Sequence, residues 1–139
     1  MVQAEGRTFT FVGAEAITPE VLETFPYEYR GRRIEVVIST DEWSCVCPFS
    51  GLPDFGMLAV RYVPDAVCLE LKSVKYYLTS FRSVGIYQEH AANRILDDLV
   101  EACRPVEMEV TLDYRLRGGI HTVVTVRYPS ADRSAVPSA

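Results

Sequence analysis

An alternation of apolar and polar residues, interrupted by a pair of glycines, spans residues 106–126. The first run places Val106, Met108, Val110, Leu112 and Tyr114 on one face, and the second run does the same with Ile120, Thr122, Val124 and Val126. A period of two residues is typical of a β-strand with one buried face. Gly118-Gly119 can supply the positive φ angles of a two-residue hairpin turn. The pattern therefore predicts two antiparallel strands that pack one face on a core.

Alternation also marks the first half of the chain. Residues 33–39 predict a strand whose apolar face carries Ile34, Val36 and Ile38. Residues 58–72 alternate on both sides of Pro64-Asp65 and predict an antiparallel hairpin that turns there. In that hairpin, the face opposite the aliphatic one would carry Cys68, Glu70 and Lys72.

The period changes to three or four residues in the middle of the chain, which predicts two helices. The first has the stripe Val74, Tyr77, Leu78, Phe81 and Val84, and we expect Gly85 to end it in a left-handed conformation. The second has the stripe Ala92, Ile95, Leu96, Leu99 and Cys103 and ends before Pro105. Cys103 is therefore predicted to lie in the core.

This order of elements predicts an α+β fold, with one antiparallel sheet of four or five strands and both helices on one face. An open sheet leaves edge strands that need a partner, and pairing between subunits would close a ring. Oligomerisation is therefore expected. The 139 residues predict a single domain, with residues 1–32 as an N-terminal extension and residues 130–139 as a disordered tail.

The net charge of −5 argues against a general nucleic-acid binder. No apolar run has the length of a membrane span, and the N-terminus lacks a signal-peptide pattern. We therefore expect a cytoplasmic protein whose four cysteines are reduced.

Residues 44–56, S-C-V-C-P-F-S-G-L-P-D-F-G, are the segment most suited to chemistry. Pro48 and Pro53 fix φ and remove amide donors, which predicts a stiff loop that is neither helix nor central strand. Such a loop could position Cys47 as a nucleophile and Asp54 as its proton-transfer partner. The alternative is a tight turn with a buried cysteine and a solvated aspartate.

Two helix starts carry polar residues that could bind a ligand. Lys72 and Lys75 lie where unpaired amides favour an anion, although a solvated polar face would look the same. Gln88 and Glu89 could bind the donor-rich edge of a heterocycle. Alternatively, Glu89 could only stabilise the helix, as an acidic residue in its first turn. His90 is expected to be a surface or capping residue.

A metal site would have to use Cys45, Cys47, Glu89 or His90. The C-x-C spacing differs from the C-x-x-C of zinc sites, and no second pair exists, so we predict no metal. The sequence also lacks G-x-G-x-x-G and a P-loop, so any nucleotide would bind without a standard phosphate loop.

Several of these segments together resemble one enzyme family. They are E-L-K-S-V-K-Y-Y at 70–77, Cys47-Pro48, G-x-P-D-F at 51–55, Ser80-Phe81-Arg82, the Glu89 segment and Arg117-Gly118-Gly119. In this set and its order the chain resembles the NADPH-dependent 7-cyano-7-deazaguanine reductases, the QueF-type nitrile reductases, from about residue 33 to 128. The resemblance implies a tunnelling fold with a β-β-α-α-β-β unit and ring-shaped homo-oligomers of the single-module kind, as pentamer rings or a decamer.

The resemblance also implies roles for individual residues. Cys47 corresponds to the nucleophile that forms a covalent thioimide with the nitrile carbon, and Asp54 to the proton donor. The positions expected to bind the deazaguanine are Leu69, Glu70, Leu71, Gln88 and Glu89. The positions expected to bind NADPH are Lys72, Ser73 and Lys75, with Arg117 and Gly118 added because of the charge at the second hairpin turn. Gln88 departs from the family pattern, because many relatives have a histidine there and glutamine cannot donate a proton in its place.

The implied reaction reduces the nitrile of 7-cyano-7-deazaguanine to 7-aminomethyl-7-deazaguanine with two NADPH, in queuosine biosynthesis for tRNA. A thiolate adds to the nitrile first, because the resulting C=N bond accepts hydride more readily. Two alternatives remain from the residues: an amidine-forming relative that acts on the same nitrile, and a non-catalytic module that binds a purine or pterin. A thiol-redox protein that uses Cys45 and Cys47 is a further alternative.

Overall fold

The computed structural model describes residues 5–6 and 9–130. Two short 3-10 turns, Ala14–Ala16 and Pro19–Val21, come first. The elements that follow are β1 (Thr24–Pro26), β2 (Val36–Val46), β3 (Pro53–Val63), β4 (Val67–Leu69), α1 (Leu71–Thr79), α2 (Gln88–Cys103), β5 (Glu107–Tyr114) and β6 (Val123–Tyr128).

Four of the strands form one antiparallel sheet in the order β2-β3-β5-β6. Alternate side chains of β3 and β5 are buried on one face, as the period of two predicts: Leu58, Val60 and Tyr62, then Met108, Val110, Leu112 and Tyr114. The helices pack on this face, with α2 against β5 and β6 and α1 against β2. The predicted α+β class is confirmed, and so is the sheet with both helices on one side.

The hairpin between β5 and β6 also agrees with its prediction. Gly118 and Gly119 have φ angles of 59° and 78°, and Arg117 and Ile120 exchange backbone hydrogen bonds of 3.0 Å across them. The predictions that Val106 and Ile120 face the core are wrong, because these residues lie outside β5 and β6 and are 48% and 69% exposed.

The segment 44–56 is less of a loop than its prolines suggested. Residues 44–46 belong to β2, residues 53–56 belong to β3, and Cys45 pairs with Asp54 across the two strands. Pro53 is tolerated because it is the first residue of its strand. Only residues 47–52 connect the strands, so the prediction that the whole segment lies outside regular strands is wrong.

The predicted hairpin at Pro64-Asp65 is also wrong. β3 already has β2 and β5 as neighbours, so no edge is left for β4. β4 pairs instead with β1, which lies in the N-terminal extension, in a separate two-stranded sheet. Glu70 and Lys72 therefore do not share a strand face with Cys68, because the chain becomes helical at Leu71.

The first helix is shorter than predicted, and the second is as predicted. α1 ends at Thr79, and Gly85 does not adopt a positive φ but forms a β-bridge with Val46. α2 buries its predicted stripe, Ala92, Ile95, Leu96, Leu99 and Cys103, and ends with Arg104 in the left-handed conformation at φ 46°.

Residues 131–139 of the predicted tail lie outside the described residues. Among the helices of the described chain, none is long and apolar enough to cross a membrane.

Candidate active site

A cleft of about 320 Å³ lies where three segments meet: the β2–β3 loop, the start of α2 and the β5–β6 turn. Its lining residues are Cys47, Pro48, Asp54, Ile86, Tyr87, Gln88, Glu89, Arg117, Ile120 and Thr122. A volume of this order is within the usual range for a small-molecule site. The fold thus brings together five residues that the sequence analysis named separately: Cys47, Asp54, Gln88, Glu89 and Arg117.

The loop that carries Cys47 is closed by its own backbone. The Cys47 amide donates to the Leu52 carbonyl and the Gly51 amide donates to the Cys47 carbonyl, both at 2.9 Å. Gly51 has a φ of 72°, and a Cβ atom there would collide with the Phe9 carbonyl oxygen. Glycine is therefore required at position 51 for two independent reasons.

A short N-terminal segment, residues 9–12, holds this loop from outside. The Phe9 amide donates to the Ser50 carbonyl at 2.9 Å, and Val12 exchanges hydrogen bonds with residues 83 and 85 at 2.9 and 2.8 Å. Residues 84 and 86 bond in turn to Val46. The N-terminal segment therefore links the Cys47 loop to the chain that enters α2, a role that its sequence did not signal.

Hydrogen bonds of the loop make the Cys47 thiol acidic. The backbone amides of Ser50 and Phe49 and the side chains of Ser50 and Arg117 lower the pKa of Cys47 to about 7, against a smaller opposing effect of burial. The Phe49 amide lies 3.5 Å from Sγ. Because the thiolate is the reactive form of cysteine, Cys47 is partly activated at neutral pH before any ligand binds.

Asp54 lines the same cleft as this thiol and is ion-paired. It is 7% exposed at the start of β3, and the Arg117 guanidinium donates to its Oδ1 at 2.6 Å. The hydrogen bond to Cys47 and the charge of Asp54 both raise the pKa of Arg117. Arg117 therefore contacts both the nucleophile and the carboxylate, and all three side chains line the same cleft.

The other three cysteines have different surroundings. Burial is the main cause that raises the pKa values of Cys45 and Cys103 to about 12, and it raises that of Cys68 as well. All four thiols are free. Cys103 lies in the core as predicted, and Cys45 is a buried residue behind the site.

The start of α2 forms the second wall of the cleft. Gln88 and Glu89 both line it, and Tyr87 packs edge-on against Phe49 at a centroid distance of 6.0 Å. His90 packs on Tyr87 at 5.8 Å and is not among the lining residues. The sequence analysis missed the apolar and aromatic part of the cleft lining, which includes Ile86, Tyr87 and Ile120.

The residues predicted around α1 lie outside the Cys47 cleft. Glu70 caps α1, because its carboxylate accepts from the Lys72 and Ser73 amides at 2.7 and 2.8 Å. These amides are the ones that an anion was expected to use, and in this arrangement of the chain the Glu70 carboxylate accepts from them. Leu69 is 2% exposed and belongs to the core.

Ser73 is also engaged within the protein. It is 4% exposed, and its hydroxyl donates to the Glu70 carbonyl at 2.7 Å and accepts from the Glu23 amide at 2.9 Å. Leu71 and Lys75 line a separate, mainly apolar cleft of about 220 Å³ between α1 and β2. Gly118 follows Arg117 in the β5–β6 turn, beside the Cys47 cleft.

Residues 5–6 and 9–130 contain no group of three or more His, Cys, Asp or Glu side chains arranged to hold a metal ion. Cationic side chains that could bind an anionic cofactor such as NADPH are present, but they lie in two separate places. Arg117 is at the cleft, whereas the exposed side chains of Lys72 and Lys75 lie on α1.

Comparison with known proteins agrees with this reading. The family model of the QueF-like proteins matches residues 53–133. A protein of Caldicellulosiruptor bescii named NADPH-dependent 7-cyano-7-deazaguanine reductase is 54% identical over 122 residues, covering 88% of this chain and 93% of that protein. A protein of the same name from Microcystis aeruginosa is 44% identical over 128 residues, covering 92% of this chain and 98% of the relative.

A solved structure, the archaeosine synthase QueF-Like in the apo form, superposes with a TM-score of 0.66 over 70% of this chain and 96% of its own. At 24% identity this likeness bears on the fold alone, and it confirms the predicted fold class. Sequence and fold together place this chain in the QueF-like protein family, as a relative of the NADPH-dependent 7-cyano-7-deazaguanine reductases.

Proposed function

We propose that this chain catalyses the reaction named for its relatives, the NADPH-dependent reduction of 7-cyano-7-deazaguanine. The product would be 7-aminomethyl-7-deazaguanine, for queuosine in tRNA. The observation that carries the proposal is a thiol with a pKa of about 7 that faces a small-molecule cleft beside an ion-paired carboxylate. Identities of 54% and 44% to proteins named as reductases support the same substrate and cofactor.

Cys47 opens the reaction by adding to the nitrile carbon. The S–C bond forms as one π bond of the nitrile breaks, and the nitrogen takes up a proton, which gives a thioimide. Asp54, which lines the same cleft, accepts the thiol proton and returns it to nitrogen. The same hydrogen bonds that lower the pKa of Cys47 also make it a good leaving group when the C–S bond later breaks.

NADPH, when bound, supplies the hydrides that complete the reduction. Arg117 at the cleft is the residue nearest the chemistry that could hold one of its phosphates, and Lys72 and Lys75 on α1 could hold another. Ser73 would need to give up its present hydrogen bonds before its hydroxyl could take part.

Gln88 and Glu89 are suited to hold the heterocycle. An ionised carboxylate only accepts hydrogen bonds, so Glu89 matches the N–H groups of a guanine-like edge. Gln88 can donate and accept but does not titrate, so no proton transfer passes through position 88 in this chain.

A second copy of the chain would complete the site. Glu70 and Leu71 are predicted to bind the base, yet neither lines the Cys47 cleft of its own chain. β2 and β6 are the edges of the main sheet, and each leaves one side unpaired in a single chain. Pairing of β2 with β6 of the next copy would extend the sheet into a ring and bring a neighbouring α1 toward the cleft.

The proposal is tested by intact mass spectrometry of the protein with the nitrile base in the absence of NADPH. Wild-type protein should gain the mass of one base, and Cys47→Ala should gain none. Cys45→Ala, which changes a buried thiol two residues away, should still form the adduct. With NADPH added, two equivalents should be oxidised per base.

Each other outcome points to a different function. No adduct in the wild type would favour a module that only binds a purine or pterin. An adduct that ammonia converts to an amidine, without NADPH oxidation, would favour the amidine-forming relative. Reductase activity that survives Cys47→Ala would contradict the proposed covalent mechanism.

A further inference from the structure

We propose that Arg117 is a positioning residue for the covalent step: it pairs with Asp54 and holds this side chain in the Cys47 cleft, so that Asp54 accepts the thiol proton. This role rests on the proposed function and is separate from any contact between Arg117 and the cofactor.

The first argument is the burial of Asp54. Its side chain is 6% exposed, and a buried carboxylate is strongly disfavoured unless a charged or hydrogen-bonding partner compensates it. Within the described part of the chain, Arg117 is the only side chain that donates a hydrogen bond to Asp54, at 2.6 Å. Arg117 is therefore the group that compensates the burial of this carboxylate.

The second argument is how Arg117 is held. It occupies the residue before Gly118-Gly119, and its backbone is fixed by reciprocal hydrogen bonds of 3.0 Å with Ile120. Asp54 belongs to a different strand, 63 residues earlier in sequence. The turn therefore presents the guanidinium from fixed backbone, and replacing the Arg117 side chain leaves the turn intact.

The third argument is the proton balance of the first step. The thiol proton moves to the Asp54 carboxylate, sulfur bonds to the nitrile carbon, and the electron pair of the broken π bond goes to nitrogen. Nitrogen then takes the proton from Asp54, which again becomes a carboxylate paired with Arg117. The step involves no net oxidation, and Asp54 begins and ends it in the form that Arg117 stabilises.

The charged and titratable groups around Cys47 limit how a pH profile can be read. The groups lining the cleft are Cys47, Asp54, Tyr87, Glu89 and Arg117. Cys45 lies behind them with a pKa of about 12, so it stays protonated through the neutral range. Because a guanidinium favours the thiolate, loss of Arg117 should move the titration of Cys47 to higher pH.

The test compares wild-type protein with Arg117→Ala, Arg117→Lys and Arg115→Ala, without NADPH, so that any role in cofactor binding cannot contribute. The Arg115 guanidinium lies over the Phe55 ring at 5.6 Å, so Arg115→Ala removes a nearby positive charge that does not contact Asp54. Two rates are measured: alkylation of Cys47 by iodoacetamide from pH 5 to 9, and formation of the adduct with the nitrile base.

For Arg117→Ala we expect the midpoint of the alkylation profile to rise and the rate at pH 7 to fall about threefold. Adduct formation should fall about tenfold, because the base and the nucleophile are both affected. Arg117→Lys should recover part of both rates, and Arg115→Ala should match the wild type. In an Asp54→Asn background, Arg117→Ala should slow adduct formation much less than it does alone.

Unchanged alkylation and adduct rates in Arg117→Ala, together with lost NADPH oxidation, would overturn the proposal and leave Arg117 as a cofactor residue only. An equal loss in the Asp54→Asn background would also overturn it, because Arg117 would then act without Asp54. Failure of the wild type to form any adduct counts against the proposed function instead. Thermal unfolding of each variant shows whether a lost rate reflects lost structure.

Discussion

At the residue scale, the Cys47 thiolate receives its largest stabilisation from backbone amides, those of Ser50 and then Phe49. These donors depend on the path of the loop and not on the charge of any neighbour. Amide donors cannot be removed by substitution, but the Ser50 side chain, which also lowers the pKa of Cys47, can be. This makes Ser50 a suitable position for testing the origin of the reactivity.

We predict that the rate of adduct formation by the wild type rises with pH and reaches half of its plateau near pH 7. The sign follows from the lowered pKa: the thiolate is lost as pH falls through about 7, whereas an ordinary cysteine would lose it near 9. In Ser50→Ala the midpoint should move to higher pH. Ser83→Ala is the control, since Ser83 is exposed and contributes only its backbone carbonyl to Val12. An unchanged midpoint in Ser50→Ala would contradict the assigned cause.

Individual site residues could be named from sequence more readily than their surroundings. Cys47, Asp54, Gln88, Glu89 and Arg117 meet in one cleft. These residues could be identified because the order of the motifs that contain them matches a family pattern. The capping role of Glu70 was missed, although an acidic residue just before a helix is a common N-cap. The roles predicted for Glu70 and Ser73 toward base and cofactor stay predictions.

At the scale of elements, the Cys47 loop is held in place by short irregular segments that contact one another. Residues 9–12 bridge the Cys47 loop and residues 83–86, and Gly85 lies directly under the Phe11 ring. None of these contacts has a periodic signal in the sequence, because each joins irregular backbone to irregular backbone. The N-terminal extension is thus part of the site's support, both here and through the β1–β4 pair.

We predict that Gly51→Ala destabilises the protein by about 1–2 kcal/mol or more, because alanine is strained at positive φ and its Cβ would displace the Phe9 carbonyl. Gly31→Ala is the matched control: no atom lies within 4 Å of a Cβ there, and the expected change is within about 0.5 kcal/mol. Urea unfolding measures both.

The same Gly51→Ala variant should raise the pH midpoint of Cys47 alkylation, since the displaced loop no longer aims the Ser50 and Phe49 amides at sulfur. Equal stability of the two glycine variants would show that the N-terminal segment does not hold the loop.

The pairing of β5 with β6 was predicted correctly, whereas the pairing of β3 with β4 was not, and the difference has a physical reason. Two glycines between alternating runs leave room only for a hairpin, so β5 and β6 could be paired from sequence. The link at Pro64-Asp65 is equally short, but it joins two sheets, because β3 is already paired on both sides. Periodicity identifies a strand and its buried face, and it carries no information about which neighbour the strand takes.

At the scale of the whole molecule, a single chain leaves two features unexplained. β2 and β6 have unpaired edges, and the outward faces of the main sheet and of α1 carry exposed apolar residues. On the sheet these are Val37, Phe55, Met57 and Val123, and on α1 they are Leu71 and Tyr76. Exposed apolar residues grouped on one face are typical of an interface. A ring of copies paired edge to edge would cover the strand edges and also supply the residues that the Cys47 cleft lacks.

This assembly predicts that inactive variants can rescue one another. We suppose that each site takes Cys47 from one copy and Glu70 from its neighbour. Such a site is intact when the copy that supplies Cys47 is the Glu70→Gln variant and the copy that supplies Glu70 is the Cys47→Ala variant. Random mixing of the two variants in a cyclic homo-oligomer would make about one site in four intact, and NADPH oxidation should recover to about a quarter of the wild-type rate. Glutamine retains a carbonyl acceptor at the α1 N-cap, so the variant should still fold.

The control is a mixture of Cys47→Ala and Asp54→Asn. Both residues line the same cleft of one chain, so no combination of these subunits builds an intact site, and co-expressed mixtures should stay inactive. Sedimentation of the wild type should give a mass several times that of one chain. A monomer in sedimentation, or no rescue between Cys47→Ala and Glu70→Gln, would mean that the cleft works without Glu70 of a neighbour. Rescue in the first mixture and none in the second would assign the two walls of the site to different subunits.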